Sequence, residues 1–291
     1  MFEDFLNYIK NEKRYSEHTI RAYENDLYQY LDFGQSTSKD FNPLMGDHQI
    51  IRKWIVFLMQ NGDKARSVNR KISTLKSYYK FLFKQGVIQN LPMEKIVKPK
   101  MEKNLPYFVE KNSINQLLDC VPFPDTFEGL RDRTIILAFY CTGMRLSELS
   151  HLKINDIDFN SSQLKVLGKR NKERIIPFGI ELRVAFKKYI EERNKISQPH
   201  NILFITSKGV PVYDKLVYRV VNKYLGEVTT MKKRSPHVLR HTFATHLLNN
   251  GAELDAIKEL LGHSNLMATQ IYTHTTFERL IEIYNQAHPR A

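Results

Sequence analysis

Residues 235–248 read SPHVLRHTFATHLL, and residues 259–274 read ELLGHSNLMATQIYTH. Ser235-Pro236 is a helix-opening pair, because a proline at the first helical position has no N–H to leave unsatisfied. His237 and Arg240, three residues apart, then share one face, while Val238, Ala244, Leu247 and Leu248 supply apolar contacts. An imidazole beside a guanidinium near a helix start suits phosphate: the first amides attract anions and the guanidinium fork matches two phosphate oxygens. In the second stretch Gly262 marks a helix end, His263 falls in the turn, and Tyr272 lies near the end of the short helix that follows. A polar cluster thus interrupts an otherwise apolar helical sequence.

Five of the ten histidines (His237, His241, His246, His263, His274) lie in this region, so a metal site has to be weighed. His237 and His241 have the i, i+4 spacing of a chelating pair. The residues between them are VLR, without the glutamate a zinc hydrolase uses as base, and no carboxylate-rich segment adjoins. No metal is expected. His241, His246 and His274 read as hydrogen-bonded structural residues.

The whole chain is basic: 44 Lys and Arg against 31 Asp and Glu give +13 over 291 residues. Such a charge favours a polyanionic partner, nucleic acid or an anionic membrane surface. Its 17 Phe and 15 Tyr argue against a disordered basic tail. The longest apolar run, Ile135 to Cys141, is far short of the roughly 20 residues a membrane span needs, and Glu3 and Asp4 stand where a secretory signal is basic. Two cysteines, Cys120 and Cys141, are too few for a disulfide framework and have no zinc-ligand spacing, which points to a reducing cytoplasm.

The first hundred residues carry short amphipathic helices. Ile20, Tyr23, Leu27 and Leu31 recur after the start signal Ser16, and Ile51, Trp54, Ile55 and Leu58 form a second face. A third helix, between Lys64 and Lys84, holds seven basic residues and no acidic one. Val68, Ile72, Leu75, Tyr79 and Leu82 make its apolar stripe, and Arg66, Arg70, Lys80 and Lys84 fall opposite, as a DNA-contacting face would. The segment VKPKMEKNLP, residues 97–106, has no apolar period and reads as a linker. A helical domain 1–97, a linker 98–106 and a second domain 107–291 follow. In the second domain Arg131 to Tyr140 reads as an apolar helix, and Gln163 to Leu167 and Arg174 to Phe178 read as strands joined by the turn GKRNKE. The fold class expected is mainly α with a small antiparallel sheet.

HVLRH, LGHS and IYTH together resemble the His-x-x-Arg…His…Tyr signature of tyrosine recombinases of the phage integrase family, and CTGMRLSEL, residues 141–149, resembles that family's first-arginine motif. The start YSEHTIRAYENDLYQYL resembles its SAM-like, DNA-clamping helical domain, and the ending AHPRA with the compact length looks most like the Xer branch. The resemblance spans nearly the whole chain. It implies a catalytic mixed α/β domain in which Tyr272 is the nucleophile, forming a 3′-phosphotyrosyl bond that conserves the energy of the broken phosphodiester. Arg145 and Arg240 match the two arginines that hold the scissile phosphate, His263 the third donor, and His237 the histidine assisting proton transfer.

Lys169 matches the general acid for the leaving 5′-oxygen, with Arg170 and Lys172 beside it as DNA-binding residues. The usual Gly-Lys-Gly is here Gly168-Lys169-Arg170, so the acid is Lys169 or Lys172. Glu148 matches a supporting acidic position that orients an arginine or histidine; an ordinary surface salt bridge is the plainer reading. Phe277, Leu280, Ile281 and Tyr284 give the last helix an apolar face, for a neighbouring protomer or for its own domain.

The resemblance implies no cofactor and a double-stranded DNA recombination site as substrate. It further implies a homo-tetramer, or a hetero-tetramer with a second recombinase, acting through a Holliday junction with a DNA translocase as a possible partner. The biological task is chromosome-dimer resolution, linked to chromosome partition and cell division, or recombination of a mobile element. The compact length without an added arm-binding domain favours the former. A type IB topoisomerase and a non-catalytic DNA-binding protein are the rival readings.

Overall fold

The computed structural model describes residues 2–101, 107–168, 173–196, 199–262 and 277–291. The chain divides into two compact units, Met1–Asn104 and Leu105–Ala291.

In the first unit, α1 (Glu3–Asn7) runs into a π-helical turn (Tyr8–Glu12), followed by α2 (Glu17–Thr37), α3 (His48–Gln60) and α4 (Ala65–Lys84). Ser16 caps α2 by accepting from the Thr19 amide, and Asp47 caps α3 by accepting from the Gln49 amide at 2.7 Å. Each cap satisfies one of the donors a helix start leaves bare. The apolar stripes meet in one core of Phe5, Leu27, Tyr30, Trp54, Val68, Ile72, Leu75 and Tyr79. Buried polar links between α2 and α4 cross it: Asp26 accepts from Arg70 and, at 2.8 Å, from the Thr74 hydroxyl, and the Tyr79 hydroxyl donates to that of Tyr30 at 3.3 Å.

The second unit is built around α6 (Phe127–Thr142), whose residues from Thr134 to Thr142 are all buried. A helix apolar on all sides belongs at the centre of its domain. Around it lie α5 (Lys111–Asp119), α7 (Leu146–Ser150), α8 (Ile180–Asn194), α9 (Asp214–Val228) and α10 (Pro236–Asn249). Three antiparallel strands, β1 (Ile157–Asp158), β2 (Gln163–Leu167) and β3 (Glu173–Pro177), form the sheet in that order. Val166 faces Arg174 and Leu164 faces Ile176. Residues 169–172, between β2 and β3 in the sequence, lie outside the described residues.

Two further helices, α11 (Leu254–Leu261) and α12 (Phe277–Ala287), share a separate core with the second half of α10. The main core takes Val238 and Leu239 of α10; the smaller one takes Phe243 and Leu247, with Ile257, Leu260, Leu280, Ile283 and Tyr284. In this single chain the apolar face of α12 therefore lies on its own domain. Past α12, His288 donates from Nε2 to the Tyr140 carbonyl at 3.1 Å, and Arg290 holds both oxygens of Glu181 at 2.8 Å. Among the described residues no helix is long and apolar enough to cross a membrane.

Candidate active site

The site is assembled from helix ends. Helix α6 stops at Gly143 and α11 stops at Gly262, both left-handed, with φ 58° and 64°. A side chain at Gly143 would put its Cβ 2.4 Å from the ring of Phe243, so glycine there serves both turn and packing. Two residues beyond Gly143 the chain opens α7 with Arg145 as its extended N-cap.

Glu148 is the hub. Its Oε2 accepts from the Arg145 amide and its Oε1 from Arg145 Nη1, both at 2.7 Å. From β3, Arg174 reaches the same carboxylate through Nη1 (2.9 Å) and Nη2 (2.8 Å). The Glu148 side chain is only 3% exposed. Burial would raise its carboxyl pKa, but the hydrogen bonds and charge of Arg174, and then the bonds from Arg145, hold it down to about 2. Glu148 is therefore a buried anion bridging two arginines. The plainer reading, a surface pair, does not describe it.

Arg240, on α10, is buried. It donates from Nη1 to the Gly143 carbonyl at 2.7 Å and from Nη2 to the Leu261 carbonyl at 2.6 Å, so it spans the carboxyl ends of α6 and α11. The negative ends of two helix dipoles offset the cost of burying a cation there. Burial first, and then the charges of Arg145 and Arg174, push its pKa down to about 10, which leaves it charged near neutrality. Arg145 donates from Nη2 to the Gly262 carbonyl at 3.1 Å. Arg145 and Arg240 thus sit on successive carbonyls, and each uses two of its five N–H groups on described protein atoms. The remaining donors suit an oxyanion.

His237 and His241 pack edge to face with ring centroids 4.6 Å apart on the first turns of α10. Burial, and then the charge of Arg240, lower the pKa of His241. His246 is buried and hydrogen-bonded through Nδ1 to the Tyr140 hydroxyl at 3.0 Å, a structural role. Among the described residues no group of three or more His, Cys, Asp or Glu side chains is placed to hold a metal ion. Lys169, Arg170, Lys172, His263, Tyr272 and His274 lie outside the described residues.

Arg174 belongs to this cluster, although the sequence pattern marks it only as the start of a strand. One signal does point inward: in a strand, Arg174 shares a face with the buried Ile176, and an arginine on an inward face needs an anion. On α4, Arg66, Lys80 and Lys84 are exposed, as is Arg70 apart from its bond to Asp26. Lys71, in the same basic run, is buried on Asp63 and Gln29 at 2.8 and 2.7 Å.

Comparison with known proteins places both halves. Residues 107–279 match the model of the phage integrase family, and residues 2–86 match that of the phage integrase N-terminal SAM-like domain. The tyrosine recombinase XerC of Thermodesulfovibrio yellowstonii is 39% identical over 292 residues, covering 98% of this chain and 95% of that protein. XerC of Staphylococcus saprophyticus is 40% identical over 288 residues, covering 99% and 96%. Among solved structures, the Tn1549 transposon integrase in complex with transposon right end DNA superposes with a TM-score of 0.74 at 21% identity, over 93% of each chain. With the fold shared and the curated relatives similar from end to end, the chain belongs to the phage integrase family and is a tyrosine recombinase.

Proposed function

We propose that this recombinase cuts and rejoins double-stranded DNA at a specific site in Xer-like fashion. The observation that carries the reading is the pairing of Arg145 and Arg240 on the adjacent carbonyls of Gly262 and Leu261, with donors left over for one phosphate. Guanidiniums so placed stabilise the charge that grows on the non-bridging oxygens, the work that metal ions do in other nucleases. Tyr272 Oη attacks the scissile phosphorus while the bond to the 5′-oxygen breaks; His237 assists removal of the tyrosine proton, Lys169 protonates the leaving oxygen, and His263 adds a further donor. The 3′-phosphotyrosyl bond then passes to a second 5′-hydroxyl, so strands are exchanged through a Holliday junction without a high-energy cofactor.

Arg66, Arg70, Lys80 and Lys84 on α4, with Arg170 and Lys172 from the sequence between β2 and β3, contact the phosphate backbone, a binding term that weakens with salt. The helical domain spans 1–97 and the catalytic domain 107–291, joined by a linker at 98–106. Four protomers act on two sites, all alike or shared with a second recombinase, and α12 passes to a neighbour in that assembly. Identity of 39% and 40% to proteins named tyrosine recombinase XerC supports the Xer-like reading. The task proposed with it is chromosome-dimer resolution in the cytoplasm, with a DNA translocase as partner, ahead of mobility of an element.

The test is a nicked suicide duplex, with arms selected from a randomised pool by the protein, incubated without magnesium and run on a denaturing gel. A covalent adduct is expected with wild type and none with Tyr272→Phe. No adduct, or an adduct persisting in Tyr272→Phe, overturns the reading, and recombinant products from two sites separate a recombinase from a topoisomerase.

A further inference from the structure

Three arginines from distant parts of the sequence close on three consecutive carbonyls. Arg174 Nε donates to Leu260 at 2.9 Å, Arg240 Nη2 to Leu261 at 2.6 Å and Arg145 Nη2 to Gly262 at 3.1 Å. These belong to the last turn of α11, where an α-helix leaves its carbonyls without intrahelical donors and its dipole is negative. The three are not equivalent. The Arg145 side chain is 27% exposed, whereas that of Arg174 is 11% exposed and has Nε on Leu260 and both Nη atoms on Glu148. The fork of Arg174 is turned into the protein.

What it grips is what orients the other two. Glu148 fixes Arg145 through both its amide and its guanidinium. Leu260 immediately precedes the carbonyl that holds Arg240. Gly262 leaves just enough room for this: a Cβ there would lie 3.0 Å from Arg174 Cδ. We infer that Arg174 is a positioning residue for strand cleavage, which holds Arg145 through Glu148 and Arg240 through the end of α11 without touching DNA. The inference rests on the proposed role of Arg145 and Arg240 at the scissile phosphate.

Lysine is no substitute. An ammonium keeps the charge but cannot span two carboxylate oxygens and a carbonyl in one plane. Without Arg174, Glu148 stays buried with one partner fewer, and Arg145 and the α11 terminus lose their common anchor.

The test uses the full-length protein, as wild type, Arg174→Ala and Arg174→Lys, on nicked suicide duplexes with arms selected by the wild type. The scissile group is a phosphodiester in one duplex and a methylphosphonate in the other. The methylphosphonate replaces a charged non-bridging oxygen with methyl, so its cleavage depends less on well-placed arginines. DNA affinity by mobility shift should change by no more than about threefold. The single-turnover rate of adduct formation on the phosphodiester should fall by about 100-fold in Arg174→Ala, the scale of losing one transition-state donor, and by less in Arg174→Lys. On the methylphosphonate the loss should be under about tenfold.

An equal loss on both substrates assigns Arg174 to folding alone, and a wild-type rate on the phosphodiester removes the role; either overturns the inference. Should Arg174→Ala fail to fold, the ratio of the two rates in Arg174→Lys decides by the same criterion. If wild type forms no adduct that depends on Tyr272, the reading of the site has failed and this inference falls with it. If that adduct forms and the substrate ratio matches wild type, the inference alone has failed.

Discussion

Arg240 Nη2 lies 2.6 Å from the carbonyl oxygen of Leu261, so the most buried cation of the site is held by backbone, with no carboxylate of its own among the described residues. A backbone partner cannot be lost to a change of protonation, and it leaves the guanidinium with its full positive charge. Arg240→Lys should keep the charge yet lose the span from Gly143 to Leu261. Adduct formation should drop by about 100- to 1,000-fold, with DNA affinity little changed. Single-turnover cleavage beside a mobility-shift titration checks this, and parallel losses in both would count against it.

Glu148 should leave a signature in acid. Its folded pKa of about 2 lies below its ordinary 4.5, so its stabilising contribution is complete above the ordinary value and is lost as pH falls from there toward the folded one. The gap corresponds to about 3 kcal/mol at most. Urea unfolding of wild type should weaken through that window by more than that of Glu148→Gln, which has no such group to titrate. Identical pH dependence in the two proteins would remove the assignment.

Two glycines with positive φ offer a controlled comparison. Both Gly143 (φ 58°) and Gly251 (φ 90°) end helices in conformations costly for an L side chain, but a methyl added at Gly251 would meet nothing within 4 Å, whereas one at Gly143 would meet Phe243 at 2.4 Å and Leu261 at 2.9 Å. Gly251→Ala should cost about 1–2 kcal/mol of backbone strain. Gly143→Ala should cost about 1–3 kcal/mol more from overpacking and slow cleavage as well, since Gly143 carries the carbonyl that holds Arg240. Denaturant midpoints and adduct rates measured together would show it.

The basic face of α4 should divide by partner. Arg66→Ala, Lys80→Ala and Lys84→Ala should each lower the slope of log affinity against log salt by about 0.9 with the melting temperature unchanged. Arg70→Ala should also destabilise the fold, because it leaves the buried Asp26 with Thr74 as its remaining side-chain partner. Salt-dependent filter binding with thermal melts distinguishes the two effects.

A 5′-phosphorothiolate at the scissile position needs no proton on its leaving sulfur. Lys169→Ala should therefore cleave that substrate at close to the wild-type rate while remaining slow by at least about 100-fold on the ordinary one. Rescue of Lys172→Ala in its place would transfer the role of acid to Lys172.

How far these features are written in the chain depends on the range of the interaction. The stripe Val68, Ile72, Leu75, Tyr79 is a local property and gives α4 its buried face directly. The hairpin is equally local: β2 runs from Gln163 to Leu167 as expected, and β3 is displaced by one residue, to Glu173–Pro177, because the pairing of Leu167 with Glu173 adds a rung at its start. Arg145 and Arg240 were legible through motif. Lys71 and Arg174 were not, since each is buried against a carboxylate from another element, Asp63 for one and Glu148 for the other, and periodicity does not name partners across the fold. The seat of α12 was open for the same reason: an apolar face states that it will be covered, and only the tertiary structure shows Phe243 and Leu260 in its core.

The separation of the two cores in the second unit means that its stability is graded. Among the described residues the buried apolar side chains of α11 and α12 belong to the small cluster with the far half of α10, and those of α6 and α8 to the large one. Local opening of such a satellite costs much less than global unfolding. Backbone amides of α11 and α12 should thus exchange with solvent as one cooperative group, ahead of those of α6. The Leu260, Leu261 and Gly262 carbonyls that take bonds from Arg174, Arg240 and Arg145 lie at the end of α11, whereas the Gly143 carbonyl that takes the second bond of Arg240 ends the central helix α6. The cation cluster therefore straddles the two cores, and opening of the smaller one would release only one side of it.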